Sequence, residues 1–200
     1  MDIVLGFYTK QLYSRKELLC RTYIKQRGRL FNFRTNMIIQ TRRLELIPLT
    51  LHQLKLWIED MHALEKELNC TYQGEPMVGL FLNIAKEQLE ATEKDKAHYF
   101  WHSFWLLLRK TDRTVIGAAD FKDVPNANGE VEIGYGIGKA FEHNGYMTEA
   151  VESMCKWALR QKNVLNVIAE TDIDNQASQN ILERCGFIKY KEEETIWWRL

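Results

Sequence analysis

The stretch VEIGYGIGKAFEHNGYMTEA, residues 131–150, predicts a strand, a short turn and the start of a helix. Over residues 131–138, apolar side chains alternate with Glu132 and three glycines, which is the period of a strand with one apolar face. Glycines on one face of a strand usually mean that something approaches the backbone closely. The strand therefore predicts a groove of bare backbone beside the carboxylate of Glu132.

The helix that follows this strand begins behind a turn that contains Gly145. Its apolar residues keep the spacing i, i+3, i+4, i+7 from Met147 to Ala158. A helix N-terminus presents free backbone N–H groups and a partial positive charge, which suits a phosphate. The pattern favours an anion site at the end of the groove, although a tight strand–helix turn without a ligand would give the same pattern.

A second segment, residues 174–187, carries D-N-Q-A-S at a predicted helix start and G-F directly after the helix. Together the two segments resemble the GNAT superfamily of acyl-CoA-dependent N-acetyltransferases, in particular its RimJ/RimL-like branch. The matching motifs are E-I-G-Y in the strand, G-Y-x-T-E-A at the helix start, N-x-x-S and the closing G-F. The resemblance covers residues 37–200, and several spaced motifs agree at once.

The resemblance implies an α/β GNAT fold: a mixed, mostly antiparallel central sheet, splayed at the acyl-CoA site, with helices on both faces. The residues themselves predict the order β-α-α-β-β-β-α-β-α-β-β. Thr50 is expected to cap a helix over residues 51–61, and a second helix follows over about 77–91. The aromatic-rich residues 99–108 are predicted to form one strand, which returns through a hairpin as residues 114–121.

The resemblance also implies how acetyl-CoA would be held. Backbone N–H groups of residues 143–148 would bind the pyrophosphate, and the pantetheine arm would lie along residues 135–137 like an extra strand. The implied cofactor-binding residues are Tyr135, Gly136, Ile137, His143, Asn144, Gly145, Tyr146, Met147, Thr148 and Asn175. Glu142 stands where the family has Gln or Arg, and a carboxylate near a diphosphate opposes binding by up to about 1 kcal/mol.

Acetyl transfer to an amine needs a group that takes the amine's proton and a group that protonates the departing thiolate. Glu132 is the predicted base, because it lies on the glycine face of the central strand; a surface carboxylate paired with a lysine is the alternative. Many GNAT enzymes use a Tyr in the helix after N-x-x-[SA] as the acid, but Leu182 stands there. RimL-like enzymes use the serine of N-x-x-S, which implies Ser178; the alternative is that Ser178 only occupies the third position of a helix capped by Asn175.

The bulk composition indicates a water-soluble globular chain. The 200 residues are 46% hydrophobic and 27% charged, and no apolar run approaches the ~18 residues that a membrane span needs. The net charge of zero combines an excess of six basic residues over residues 1–36 with an excess of six acidic residues over residues 37–200. An acidic body favours a cationic amine over nucleic acid as the partner. The four cysteines form no C-x-x-C, which favours reduced thiols and a cytoplasmic location.

Two domains of unequal character are predicted: a basic N-terminal extension, residues 1–36, and a GNAT N-acetyltransferase domain, residues 37–200. The extension has three interpretations. It is dispensable or reflects a misassigned start, it is a targeting segment, or it is an arm that touches nucleic acid.

The sequence thus predicts a cytoplasmic N-acetyltransferase that uses acetyl-CoA as co-substrate and transfers the acetyl group directly to a primary amine. The acceptor would be a protein N-terminus or a small molecule, and no membrane partner is expected; a homodimer is left open. No metal is expected, because His98 and His102 lie in a strand-like segment with nothing to complete a site. The alternative is a catalytically inactive acyl-CoA-binding sensor or regulatory module, which the missing Tyr and Glu142 would permit.

Overall fold

Nine strands in one mixed sheet form the frame of the computed structural model, which describes residues 37–200. The strands are β1 (Ile39–Gln40), β2 (Leu44–Pro48), β3 (Thr71–Tyr72), β4 (Phe104–Arg109), β5 (Thr114–Phe121), β6 (Glu130–Ile137), β7 (Asn166–Asp172), β8 (Ile188–Glu192) and β9 (Thr195–Arg199). Their order is β1-β2-β4-β5-β6-β7-β9-β8, and β3 pairs with β5 off this path. All neighbours are antiparallel except β6–β7 and β3–β5, so the predicted mostly antiparallel sheet is confirmed.

Helices cover both faces of this sheet, as predicted. Those within residues 37–200 are α1 (Leu51–Glu59), α2 (Met61–Leu68), α3 (Gly79–Lys94), α4 (Tyr99–His102), α5 (Tyr146–Ala158) and α6 (Gln176–Arg184). One core packs α5 and α6 against the sheet, with Met154 and Leu182 fully buried. The other packs α1 to α3 against the opposite face, with Leu54 and Ala85 fully buried. None of these helices combines the length and apolar character needed to cross a membrane.

The sheet opens between β6 and β7. These two strands pair over three residue positions, from Glu130 opposite Asn166 to Glu132 opposite Ile168. Beyond that point, residues 133–137 of β6 keep their pairing with β5 but have no partner strand on the other edge within residues 37–200. The predicted splay of the central sheet is therefore present.

Local signals placed the helix ends well. The Thr50 hydroxyl accepts a hydrogen bond from Gln53 N–H, and the Gln53 Oε1 accepts one from Thr50 N–H, which is a complete capping box at α1. Asn175 caps α6 by accepting from Ser178 N–H at 3.1 Å. Gly186 follows α6 with a φ of 88°, the left-handed conformation expected there.

The predicted helix over residues 51–61 ends at Glu59, and a second helix that the sequence did not predict, α2, begins at Met61. Asp60 separates α1 from α2, and its carboxylate caps α2 by accepting from Ala63 N–H at 3.0 Å. An Asp can end one helix and start the next, because its side chain satisfies a backbone N–H that the new helix leaves free. The apolar periodicity continues across the break, so the sequence pattern alone does not reveal it.

The prediction of one long aromatic strand from residue 99 was wrong at its start. Tyr99–His102 form the short helix α4, and β4 begins only at Phe104. The ring of Trp101 packs against Trp157 of α5, with centroids 4.9 Å apart. This tertiary packing outweighs the preference of aromatic residues for strands, which depends strongly on context.

His98 and His102 therefore do not share a sheet face as the strand prediction implied. Both contact the carboxylate of Asp95, His98 Nδ1 at 2.8 Å and His102 Nε2 at 3.5 Å from Oδ2. The contact with His98 is the main cause that lowers the pKa of Asp95. Through these contacts the two histidines connect the C-terminal end of α3 to the short segment that precedes β4.

Candidate active site

The open edge of β6 presents unpaired backbone groups. Glu132 C=O accepts from Lys122 N–H on the β5 side, whereas Gly129 C=O accepts from Leu165 N–H on the β7 side. Since backbone groups alternate along a strand, those of residues 133, 135 and 137 face the β7 side, where the sheet has opened. An extended chain that carries amide groups can pair with this edge as an added strand does.

The groove predicted on the glycine face of β6 is not bare. A Cβ at Gly134 would lie 2.7 Å from Oδ1 of Asp120, and a Cβ at Gly136 would overlap the carboxylate of Glu75. That part of the prediction was wrong, because the protein's own side chains approach the glycines. Only the tertiary structure could show which group makes the close approach. The backbone that is free for a ligand lies at the strand edge instead.

The N-terminus of α5 lies beyond the end of β6. His143 and Gly145 both adopt left-handed backbone conformations, with φ of 60° and 72°. Gly145 occupies the cap position and offers no side-chain cap from within residues 37–200. The N–H groups of the first helical turn lack acceptors inside the helix itself. This geometry is compatible with an anion site over residues 143–148, which stays a prediction.

Arg43 adds a positive charge beside this helix start. Its Nε lies 2.6 Å from Glu149 Oε2, its Nη1 donates to Asn144 C=O at 2.9 Å, and its guanidinium lies 4.3 Å above the Tyr146 ring. Burial would raise the pKa of Glu149, but hydrogen bonds from Thr41 and Arg43 outweigh it and lower that pKa. Arg43 was not predicted from the sequence, because it precedes Glu149 by 106 positions and matches no local motif.

Hydrogen bonds between Tyr135 and Ser178 connect β6 to the first turn of α6. Ser178 Oγ donates to the Tyr135 hydroxyl at 2.8 Å, and that hydroxyl donates to Ser178 C=O at 3.3 Å. Burial raises the pKa of Tyr135 to about 12, so the phenol keeps its proton at neutral pH. Leu182, which stands at the usual Tyr position of α6, is fully buried in the core. A tyrosine hydroxyl thus reaches the opening from β6 rather than from α6.

Glu132 forms an ion pair with Lys122, and its side chain is 19% exposed. The lysine partner is the feature that the surface alternative for Glu132 predicts. Glu132 shares the even-numbered face of β6 with Gly134 and Gly136, as its position in the strand requires.

A cavity of about 540 Å³ lies on the glycine face, between α3 and the strands β5 and β6. It is lined by carboxyl, amide and apolar side chains, among them Glu75, Phe81, Ile84, Gln88, Phe104 and Asp120. Burial is the main cause that raises the pKa of Glu75, and the nearby Glu142 adds to it. The cavity lies against the glycine face of β6, whereas the open edge is the edge of β6 on the β7 side.

Asp120 closes the bottom of this cavity. It is 6% exposed, and its Oδ2 accepts from Gln88 Nε2 at 3.3 Å. Burial raises the pKa of Asp120 to about 6, although Lys122 and the bond from Gln88 oppose that shift. A buried carboxyl with a raised pKa in a cavity marks a candidate functional residue. Asp120 was not among the predicted site residues, because it lies within the predicted strand over residues 114–121 and matches no motif.

Comparison with known proteins identifies the fold and its activity class. Residues 29–188 match the model of the acetyltransferase (GNAT) domain. The chain belongs to the GNAT family. The uncharacterized N-acetyltransferase YjdG of Bacillus subtilis (strain 168) is 29% identical over 163 residues, which cover 81% of this chain and 96% of YjdG.

Solved GNAT structures share the fold. RimL, the ribosomal L7/L12 alpha-N-protein acetyltransferase in complex with coenzyme A, superposes with a TM-score of 0.60 at 15% identity, covering 82% of this chain and 97% of RimL. The ribosomal-protein-S5-alanine acetyltransferase from Vibrio fischeri gives a TM-score of 0.59 at 16% identity, covering 82% of this chain and 96% of that enzyme. The protein is accordingly a GNAT acyltransferase, a family that uses acetyl-CoA and amine acceptors.

All but one of the predicted site residues of this GNAT protein border the opening of the sheet, and Glu132 lies on the glycine face of β6. Tyr135 and Ile137 present backbone groups at the open edge, while Gly136 between them pairs with Ala118 of β5. The remaining predicted cofactor-binding residues surround the two helix starts that border the opening: His143, Asn144, Gly145, Tyr146, Met147 and Thr148 at α5, and Asn175 at α6. Of the predicted catalytic pair, Ser178 borders the opening and Glu132 lies on the glycine face.

Proposed function

We propose that the protein is an acetyl-CoA-dependent N-acetyltransferase that passes the acetyl group directly to a primary amine. One observation carries the proposal: the open edge of β6 leads to the free N-terminus of α5, so a backbone-pairing edge and an anion site follow one another along one path. Pantetheine carries amides and CoA carries a diphosphate, which is the sequence of groups that this path suits.

The residues that border the path would divide the work between them. Backbone N–H groups of residues 143–148 would hold the diphosphate, and the free groups at positions 135 and 137 would pair with the pantetheine amides. A backbone N–H of the same edge would donate to the oxygen of the reacting carbonyl as negative charge develops there. The Ser178–Tyr135 pair would supply the proton that the departing thiolate requires.

Several finer assignments belong to this proposal. The N-x-x-S motif that ends at Ser178 and the likeness to RimL support membership of the RimJ/RimL-like branch and a cytoplasmic setting. The acceptor would then be a protein N-terminus or a small-molecule amine, and the acidic character of residues 37–200 supports a cationic one. A carboxyl group on the glycine face would take the amine's proton, the role that the sequence predicts for Glu132. Residues 37–200 would form the catalytic domain, and residues 1–36 would be a dispensable extension.

Two measurements test the proposed function. Acetyl-CoA should raise the melting temperature, since binding stabilises the folded state by about 2.7 kcal/mol at one hundred times Kd. An amine panel read by release of free CoA thiol should then identify the acceptor class. No thermal shift at millimolar acetyl-CoA would refute donor binding. A shift without turnover on any amine would favour the acyl-CoA sensor instead.

A further inference from the structure

We propose that the cavity on the glycine face binds the acceptor as a primary ammonium group on an apolar stem, and that Asp120 rather than Glu132 takes its proton. This inference rests on the proposed function, because it concerns the second substrate of that reaction. It assigns a base and a class of acceptor that neither the motifs nor the relatives specify.

One face of α3 forms a graded wall of the cavity. Phe81, Ile84 and Gln88 all line the cavity, and their spacing of three and four residues places them on the same helix face. The exposed fraction falls from 37% at Ile84 to 7% at Gln88. The face therefore runs from an apolar mouth at Ile84 to a polar, buried end at Gln88. A ligand that fits it has an apolar stem outside and a polar group inside.

The polar end offers hydrogen-bond acceptors to an ammonium group. Gln88 Oε1 is buried and has no hydrogen-bond partner among the described residues, although Gln88 Nε2 donates to Asp120 and to two backbone carbonyls. A buried acceptor without a partner is costly unless a ligand satisfies it. The carboxylate of Asp120 lies directly beside it. The two oxygens match the N–H donors and the charge of an ammonium group.

Asp120 also lies close to the glycine face of β6, on the strand that pairs with the edge opposite the open one. A Cβ at Gly134 would meet Asp120 Oδ1 at 2.7 Å, so the missing side chain lets the carboxylate approach the β6 backbone. The neighbours of Gly134 in the strand, Ile133 and Tyr135, present the free edge. An amine held by Asp120 is therefore next to the strand that borders the donor path.

The proton transfer is chemically matched to this carboxyl. An alkyl ammonium with a pKa near 10.4 is neutral in only about one in 2,500 molecules at pH 7, so a base must remove its proton. Burial raises the pKa of Asp120 to about 6, against the opposing effects of Lys122 and Gln88, which brings this base closer to the working pH. The other charged groups that face it are Glu132 from β6, Glu75 from the segment before α3 and Glu87 from α3.

The reaction balances without another reagent. Asp120 accepts one proton from the ammonium nitrogen, and the freed lone pair attacks the thioester carbonyl carbon. The C–N bond forms, the C–S bond breaks, and the departing sulfur takes a proton from the Tyr135–Ser178 pair. After the attack the nitrogen carries two protons; one leaves to solvent as the C–S bond breaks, and the other stays on the amide. Asp120 releases its proton to solvent, and the Tyr135–Ser178 pair regains one from solvent before the next cycle.

The first test compares carboxyl variants by kcat/KM against pH. Asp120→Asn should lower the rate by about 10²–10⁴-fold at pH 7, and the loss should shrink as rising pH deprotonates the amine unaided. Asp123→Asn, an exposed carboxyl three residues further on, is the matched control and should keep the wild-type profile. Thermal shift with acetyl-CoA verifies that each variant is folded and binds the donor.

Glu132→Gln separates the two candidate bases even if Asp120→Asn does not fold. Removing Glu132 leaves the Lys122 ammonium unpaired beside Asp120, so the acidic limb of the wild-type profile should move to lower pH while the rate stays within tenfold. A loss of 10²-fold or more in Glu132→Gln, with a wild-type profile in Asp120→Asn, would overturn the assignment of the base.

The second test concerns the acceptor stem. Amines with an alkyl or phenyl stem, and peptides with a free N-terminal Leu or Phe, should react with higher kcat/KM than polyamines; the two sets distinguish a small molecule from a peptide N-terminus. Ile84→Asn should narrow that preference and leave acetyl-CoA binding unchanged. A preference for polyamines over both sets would overturn the apolar stem. If no amine reacts although acetyl-CoA binds, the proposed function fails rather than this inference.

Discussion

Asp120 is an ionisable residue in an environment that disfavours its charged form. Its carboxyl is almost fully buried between β5 and α3, and one hydrogen bond from Gln88 satisfies only part of it. Burying an ionised carboxylate costs stability unless it is paired. Buried carboxyls with raised pKa values cluster at functional sites, which supports the proposed role of Asp120.

The stability of the protein should show this cost directly. The folded-state pKa of Asp120, about 6, lies above its ordinary value of 3.8, so the folded protein binds more protons between these values. The contribution of Asp120 to the free energy of unfolding therefore decreases as pH rises from about 4 to 6, and this loss of stability remains at pH 7. Asp120→Asn should be more stable than wild type at pH 7 by on the order of 1–3 kcal/mol.

Chemical denaturation at pH 4.5, 6 and 7.5 checks this prediction. The difference in unfolding free energy between variant and wild type should grow with pH, which removes the contribution of other groups that titrate in the same range. Asp123→Asn serves as control, since that carboxyl is largely exposed. A difference that is constant with pH would show that Asp120 does not titrate as proposed.

The Tyr135–Ser178 pair yields a second prediction at the residue scale. Tyr135→Phe and Ser178→Ala should each lower kcat by about a hundredfold if the pair protonates the thiolate. The double variant should be little worse than either single one, because both remove the same hydrogen-bonded unit. Raising the pH should rescue none of them.

The alternative role of Ser178 predicts something different. A residue that only occupies the third position of α6 would leave kcat unchanged and alter stability by at most about 1 kcal/mol. Tyr190→Phe on β8 is the matched control for the lost hydroxyl, since Tyr190 is 44% exposed and lies on an outer strand. Equal losses in Tyr190→Phe and Tyr135→Phe would argue against a specific role for the pair.

At the scale of elements, the junction of β6 and α5 determines whether the donor path is continuous. The strand edge supplies backbone groups with a definite direction, and the turn at residues 143–145 leads into α5 through two left-handed residues, His143 and Gly145. The Arg43 contacts hold the first turn of α5 against the β1–β2 corner. A ligand can use both parts only if this turn keeps its shape.

Gly145→Ala tests the turn. The left-handed φ of 72° penalises any side chain, while the Cβ itself would meet only Arg43 Nη2 at 3.6 Å, so the expected destabilisation is about 1–2 kcal/mol from the backbone alone. Acetyl-CoA affinity should fall in addition, because the methyl group lies among the free N–H groups.

Gly79→Ala is the control for this prediction, since Gly79 also has a left-handed φ, of 58°, and open space around its Cβ position. It should lose similar stability but keep the acetyl-CoA affinity of wild type, as measured by calorimetry. Equal losses of affinity in both variants would mean that the α5 turn contributes nothing specific to the donor site.

At the scale of the whole molecule, the proposed catalytic domain is residues 37–200. The strands and helices of both cores lie in this range, and Met37 itself contacts Trp157, whose Nε1 donates to its sulfur at 3.0 Å. A protein that starts at Met37 should therefore fold, bind acetyl-CoA and turn over like the full chain. Melting temperature and kcat/KM check this, and an insoluble or inactive product would assign residues 1–36 to the core or to an interface.

The sequence by itself determined the parts of this protein that depend on local rules. Strand alternation in β6, the caps at Thr50 and Asn175, and the glycine after α6 all follow from hydrogen bonding and backbone conformation within a few residues. The spaced motifs identified the family for the same reason. Strand alternation, helix caps and the glycine after a helix follow the same rules in every protein, so they can be read from the sequence.

Only the tertiary structure determined which residues that are distant in sequence contact one another. Asp120 and Gln88 are 32 positions apart and both look unremarkable in sequence, yet they form the bottom of one cavity because β5 and α3 pack together. Packing likewise turned residues 99–102 into a helix and put Glu75 against the glycine face. Burial and long-range contact depend on the sum of many weak interactions, which no local pattern encodes.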